Sequence, residues 1–401
     1  MTLRKAIAGT NLEQAKSHNR RVVIEAIRTN GALSRAAIAR LTALSTQTIS
    51  NIVEELEREE LLRAQATLKG ARGQPAVPYA INPDGGYSIG LQLDHQLAVG
   101  VITDLSGTVR ARIERPVDRP TPAQAMPLLA AIAGDLMRKF RFDRNRLLGI
   151  GMAMPGPFDV EGMTSVGPTA LPGWQDFPVA EELQRLTGIP VTVENDATAA
   201  AIGERLYGVA RNLSSFVYLF IGTGLGAGLF LEGHLYKGSR HNAGEIGHMI
   251  VRPGGLECGC GKRGCLERYV SLRAAYESLD IADPDHASPE LLQALLANGD
   301  SLEAFVAQAI DPLRQAINML ELALDPETVV LGGFMPVGVI ELLASRLDPL
   351  YLSVSSTSAR TVPRVLVGAA GKDTSVLGAA ALPIFSETNP QFDVLQKPHS
   401  R

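Results

Sequence analysis

Two separated stretches of this chain carry one strand-turn-strand pattern. "YSIGLQLDHQLAVGVITDLSG" starts at Tyr87 and "SFVYLFIGTGLGAGLFLEG" at Ser215, in a region where strands alternate with helices. An internal repeat of this kind predicts two similar α/β lobes with a cleft between them. At 401 residues the chain is also too long for one ordinary core, so two or three domains are expected. The second stretch falls in the window Asn212 to Leu231, which runs without a charge for about the length of a bilayer span. Alternating glycines after a β-branched and aromatic run read instead as strand, tight turn, strand, and no membrane segment is expected.

The two turns differ in chemistry. Gly222, Gly224, Gly226 and Gly228 line the second, where backbone amides can approach an anion or phosphate. The matching first turn is Asp94-His95-Gln96-Leu97, without a glycine. Neither the Rossmann spacing nor the Walker lysine is present.

Charge divides the chain. Residues 1–82 hold 12 of the 38 Lys+Arg but only 7 of the 42 Asp+Glu, so a basic head precedes an acidic body. That asymmetry points to nucleic acid at one end and a small ligand at the other. Within the head, Val23, Ile24 and Ile27 recur at helical spacing until Gly31. Ser34 then caps "SRAAIARLT", and Ser45 caps "STQTISNIVEELEREELL". Two helices joined by a tight turn, the second opening in small polar residues, follow the helix-turn-helix order. Ser45, Thr46, Gln47, Thr48, Ser50 and Asn51 would reach base edges, and Arg20, Arg21, Arg35 and Arg40 would meet phosphates. A polar face in a small protein-binding bundle is the alternative. "LLRAQATLKGARGQPAVPYAIN" reads as strand, glycine-rich loop, strand, the form of a wing, with Lys69 and Arg72 suited to a flank or minor groove. Asn82-Pro83-Asp84-Gly85-Gly86 marks the boundary.

All three cysteines lie in "CGCGKRGCLE", starting at Cys258. An odd number so tightly spaced does not make a secreted disulfide framework, and no signal peptide is evident, so a reducing cytoplasm is expected. Cys258, Cys260 and Cys265 with His248 form a Cys3His set suited to tetrahedral zinc. Plain free thiols or redox work are the alternatives, though a Cys-x-x-Cys pair is absent. Two carboxylate motifs accompany it. "VTVENDATAAAIGERLYG" puts Asn195 and Asp196 at the mouth of a helix, where Asp196 is either a proton acceptor for a hydroxyl or simply an N-cap. "NAGEIGHMIV" places Glu245 and His248 three residues apart, close enough to share one site.

"END", "GTGLGAG", "AGEIGH" and "CGCGKRGCLE" together closely resemble the signatures of the ROK family, named for repressor, open reading frame and kinase. The likeness extends from about Ser88 to Pro383, and the His-plus-three-Cys signature is its most specific part. The resemblance implies an α/β fold: a winged helix-turn-helix domain over residues 1–83, then over 84–401 a two-lobed, actin-like body of the sugar-kinase and ribonuclease H-like type. It implies structural zinc on His248, Cys258, Cys260 and Cys265. Asn195, Asp196, Glu245, His248 and Glu267 would surround a sugar, and "VVLGGFM" would lie near an adenosine. In kinase members the counterpart of Asp196 is the general base.

Two departures matter. The first turn lacks the Asp-x-Gly-Gly-Thr of kinase members, which speaks against ATP binding and leaves Asp196 a vestigial base with no catalytic residue assigned. Ala170 in "TALPGW" stands where the family shows Asn, so one sugar contact would be missing. The implied protein is a cytoplasmic repressor whose partners are operator DNA and a small-molecule sugar or sugar derivative, working as a homodimer or homotetramer without a membrane. The rivals are a sugar kinase with an added DNA-binding head, and a zinc- or redox-sensing regulator.

Overall fold

The computed structural model describes residues 12–388, apart from 67–76, 157–170, 240–241, 280, 282–283, 285–286, 298, 353, 355–359 and 370. Among these the head comprises α1 (Leu12–Asn30), β1 (Leu33–Ser34), α2 (Arg35–Thr42), α3 (Thr46–Arg58), β2 (Leu62–Ala64) and β3 (Pro78–Ile81). Ser34 caps α2 by accepting from the Ala37 N–H, and Ser45 caps α3 by accepting from the Thr48 N–H at 3.1 Å. The turn between these helices is made by Ala43 in the left-handed region, then Leu44 and Ser45. Val23, Ile24 and Ile27 of α1 meet Ile38 of α2 and Ile49, Ile52, Val53 and Leu56 of α3 in a core separate from those of the body. Strands pair in the order β1-β3-β2, with β2 and β3 antiparallel. The loop joining those two, with Lys69 and Arg72, lies outside the described residues.

The first lobe holds β4 (Tyr87–Leu93), β5 (Leu97–Asp104), β6 (Val109–Pro116), α4 (Pro122–Lys139), β7 (Leu147–Met154), α5 (Val179–Thr187), β8 (Val191–Asn195) and α6 (Asp196–Tyr207). The second holds β9 (Phe216–Ile221), β10 (Leu225–Leu231), β11 (His234–Leu235), α7 (Glu267–Val270), α8 (Leu272–Ser278), α9 (Pro289–Leu296), α10 (Asp300–Leu324), β12 (Thr328–Gly333), α11 (Val337–Arg346) and β13 (Val365–Val367), after which α12 (Thr374–Thr388) returns to the first lobe's sheet. Their sheets run β6-β5-β4-β7-β8 and β11-β10-β9-β12-β13. In each, three antiparallel strands that follow one another in sequence adjoin two parallel ones, so the repeat seen in the sequence is a repeat of topology. The charge-free window is the β9–β10 hairpin, and among the described residues no helix is long and apolar enough to cross a membrane.

Burial on both faces explains the apolar runs. Along β9, Val217, Leu219 and Ile221 face a core shared with α8, α10 and α11, while Phe216, Tyr218 and Phe220 alternate into a core shared with α6 and α12. Helices α6 and α12 pack together between the sheets, α12 on β4 and β7 and α6 on β10. Alanine-rich sequence lets them approach closely. Leu61 and Ile81 of the head join both the head core and this central one.

Candidate functional site

Asn195, Asp196, Glu245, His248 and Glu267 line one cavity between the lobes. The first turn contributes Asp94 and His95 to the same cavity, and the second contributes Gly222 to Gly226. Thus one end of the repeat faces the other across the cleft.

Strand β8 delivers Asn195, whose side chain caps α6 by accepting from the Thr198 N–H at 2.7 Å. The capping alternative for Asp196 therefore falls to its neighbour. Asp196 is the first helical residue, with Oδ1 accepting from the Ala197 N–H at 2.8 Å. The helix N-terminus favours its charge, but burial opposes it more strongly. Burial first, then the Asp94 carboxylate, push Asp196 up to about 7. Desolvation at the cleft wall raises Glu245 above its ordinary value although about half of its side chain is exposed, with His248 opposing and Glu267 adding to the rise.

Glu245 and His248 are placed by backbone contact. Gly244 has φ +105°, and a Cβ there would fall 2.0 Å from the Ala227 carbonyl oxygen of β10, so only glycine lets this segment lie on the strand. The following single turn, Ile246–His248, brings His248 Nε2 to 4.0 Å from Glu245 Oε2. On the other side of the ring, Nδ1 is 3.3 Å from Glu267 Oε1 and 3.5 Å from Cys258 Sγ.

The ligand atoms of His248, Cys258, Cys260 and Cys265 lie within 4.8 Å of one another. Cys260 Sγ and Cys265 Sγ are 3.6 Å apart. A tetrahedron with Zn–S near ~2.3 Å and Zn–N near ~2.0 Å has edges of about 3.5–3.8 Å, so this donor set fits zinc in type and spacing. Cys258 donates to Glu267 Oε1 at 2.9 Å, which ties the thiol loop to the cleft wall.

The second turn owes part of its glycine content to packing. A Cβ on Gly228 would sit 2.3 Å from Ala201 Cβ, so this glycine admits α6 against β10. Phe334, from the "GGFM" segment, also lines the cavity and meets Phe220 edge-on with ring centroids 5.1 Å apart. Thr169 and Ala170 lie outside the described residues.

In the head, Ser45, Thr46, Gln47 and Asn51 are exposed on the first half of α3, while Thr48 and Ser50 are half-buried. Gln47 Nε2 donates to Asn51 Oδ1 at 3.0 Å, so both amides share one face. Arg35 is already engaged: its guanidinium donates to Glu54 at 3.3 Å and to the Tyr79 hydroxyl at 3.2 Å, and stands over the Tyr79 ring. Arg20 of α1 is paired with Glu55 of α3 and with Glu59, the residue that caps its C-terminus. Arg72 lies outside the described residues.

Sequence reasoning treated the first turn only as a loss of glycine and did not place Asp94 and His95 in the cleft. It also missed the far end of α6. Arg28 of α1 donates to the carbonyls of Arg205 and Leu206 at 3.2 and 2.7 Å, and Glu25 accepts from both Arg28 and Arg205 at 2.7 Å. Arg211 donates back to the Arg28 carbonyl at 3.0 Å. The charge signs were visible, but partners some 180 positions apart carry no local signal.

The family model described as the ROK family matches residues 89–384. The xylose repressor of Bacillus subtilis (strain 168) is 31% identical over 264 residues, which span 66% of this chain and 68% of that protein. A solved ROK family transcriptional regulator, a homolog of the E. coli MLC protein, superposes with a TM-score of 0.73 at 24% identity, covering 95% of this chain and 99% of its own. The ROK hexokinase of Thermus thermophilus superposes with a TM-score of 0.59 at 30% identity, covering 75% of this chain and 98% of its own.

Proposed function

The chain belongs to the ROK family, and from that premise we propose that it is a sugar-responsive, DNA-binding transcriptional repressor. Residues 1–83 act as a winged helix-turn-helix head, reading an operator through Ser45, Thr46, Gln47, Thr48, Ser50 and Asn51 with flanking contacts from Arg35 and Arg72. The body, 84–401, takes a sugar or sugar derivative on Asn195, Asp196, Glu245, His248 and Glu267. Xylose is the natural first candidate, from the name of the Bacillus relative. Operators read as paired half-sites call for a homodimer or homotetramer, working in the cytoplasm where the DNA is.

The observation that carries this reading is the span of α6. Its N-cap Asn195 and first residue Asp196 stand in the effector cleft, and its last turn is gripped by α1 of the head. Twelve residues make a rod of about 18 Å. A ligand changes DNA affinity only by binding the two arrangements of the head unequally, and this helix is the element that joins the two sites.

His248, Cys258, Cys260 and Cys265 would hold zinc, with Nδ1 on the cysteine side. When bound, the metal supplies a rigid clip for the loop. The chain's own part is to fix the His248 ring so that Nε2 stays beside Glu245, and to keep Glu267 at the cleft wall.

Kinase activity is the second reading, favoured by the retained Asp196 and glycine turn. Against it stand Asp94 and His95 where a phosphate turn would need bare backbone. A thermal-shift screen of monosaccharides, with hits repeated in a DNA-binding assay and an ATP-consumption assay, separates the two. The proposal expects a sugar that raises the melting temperature and changes DNA affinity, without turnover. Sustained ATP consumption with any sugar would establish the kinase reading.

A further inference from the structure

The first turn is rigid and built of side chains. The Asp94 N–H donates to the Leu97 carbonyl at 2.9 Å, and the turn is braced from outside by the Val117 and Arg119 amides, which donate to Gln96 and His95 at 2.9 and 2.7 Å. Asp94 Oδ1 accepts from the His95 N–H at 2.7 Å and lies 2.8 Å from His95 Nδ1, which orients the imidazole. That leaves Oδ2 as the oxygen available to a ligand. The His95 side chain is only 6% exposed, so it fills the corner where the second lobe has glycine backbone.

The charge around the cavity is one-sided. Its lining includes the carboxylates of Asp94, Asp196, Glu245 and Glu267 and the imidazoles of His95 and His248, but no lysine or arginine among the described residues. Lys237, close by in sequence, is paired with Glu194 outside this lining. Ionised carboxylates only accept hydrogen bonds, so they suit hydroxyl and ammonium donors. A phosphate or carboxylate substituent beside Asp94 would be desolvated against like charge, and the imidazole nearest to it, His95, is already held by Asp94. The field of Asp94 is already felt at Asp196, whose proton it helps retain.

We propose that Asp94 and His95 are effector-specificity residues, which restrict the cleft to uncharged or amine-bearing monosaccharides and reject sugar phosphates and sugar acids. This inference rests on the effector reading above and adds the charge class of the ligand. The turn that no longer suits a nucleotide phosphate thereby gains a second use, as the wall that refuses a phosphate on the sugar itself.

Isothermal titration of the full chain with xylose, glucose, glucosamine, glucose 6-phosphate and glucuronate tests it, repeated on Asp94→Asn and His95→Gln. The expected result is that the tightest neutral or amino sugar binds at least about tenfold more tightly than glucose 6-phosphate or glucuronate. Asp94→Asn, checked for an unchanged melting temperature, should narrow that ratio by about fivefold or more. If Asp94→Asn alters folding, His95→Gln serves as the second variant and should also narrow it by opening the corner that the imidazole fills. Equal or tighter binding of glucose 6-phosphate or glucuronate to the native chain overturns the inference while leaving the effector reading standing. An unchanged ratio in both variants overturns the roles of Asp94 and His95. Binding of none of the five would count against the effector reading itself, and this inference would fall with it.

Discussion

The two ends of α6 are built on opposite principles. At the cleft end Asp196 is desolvated in the cavity wall and faces the Asp94 charge, with the His95 imidazole opposing only in part, so its carboxyl is pushed up to about 7. At the head end the carboxylate has cationic partners on two sides. Glu25 lies between Arg28 and Arg205, and although burial alone would raise it, those two guanidiniums hold it below the usual carboxylate range. The side chains of this clamp are mostly buried, at 9% exposed for Arg28, 18% for Glu25 and 12% for Arg205. An unsatisfied end is one that a ligand can satisfy, and a satisfied end is one that can transmit displacement without coming apart. On the proposed function, the difference would put sensing at one end of the helix and mechanical linkage at the other.

The sharpest way to break that contrast is to disable the sensing end. Glu245→Ala should abolish the effect of sugar on DNA binding and weaken sugar affinity by about 100-fold, near 3 kcal/mol, while leaving sugar-free DNA affinity unchanged. Titrating sugar and DNA separately checks both halves, and a variant that fails to fold would instead make Glu245 structural. Cutting the linkage end should do the reverse. Arg205→Ala leaves Glu25 with Arg28 alone and removes one charged hydrogen bond, with an expected cost of about 2 kcal/mol to head docking. Sugar affinity should survive while the response of DNA binding shrinks; a full response from Arg205→Ala would mean the helix is not the link.

Gln47→Ala touches neither end and serves as a control. Specific DNA binding should fall by about 1–3 kcal/mol with the sugar response intact, and equal losses on specific and random DNA would place Gln47 on the backbone only. The smallest effect concerns pH. With its carboxyl raised in the folded protein, Asp196 keeps a proton that the unfolded chain releases, so its contribution to stability declines as pH rises from about 4 to about 7. Asp196→Asn removes that penalty and should raise the melting temperature at pH 8 by about 2 °C or more, with little change at pH 4. A melting temperature unchanged at both would show that Asp196 carries no such strain.

Much of this was legible in the sequence because its signals are local. Paired strand-turn-strand runs showed the two lobes, serine caps located α2 and α3, and short motifs assembled Glu245, His248 and the three cysteines. Where the reading stopped, the cause lay between distant residues. Asp196 could not be told from a cap until Asn195 was seen to hold the Thr198 N–H. Gly228 resembles a phosphate-binding glycine in one dimension and proves to be the seat of Ala201 in three. Arg20 and Arg35 look alike in sequence beside a recognition helix, and only the fold adds their protein partners, Glu55 and Glu59 for Arg20 and Glu54 and Tyr79 for Arg35. The clamp of Glu25, Arg28 and Arg205 joins segments with no shared pattern at all.

The most direct test is fluorescence anisotropy of a DNA fragment selected by the protein from a random pool, titrated with and without the sugar that stabilises the chain most, for the native protein and Glu245→Ala. Sugar should shift native DNA affinity by about tenfold or more and leave the Glu245→Ala curve where it was. Saturating sugar bound in the cleft with an unmoved native DNA curve would contradict the proposed function.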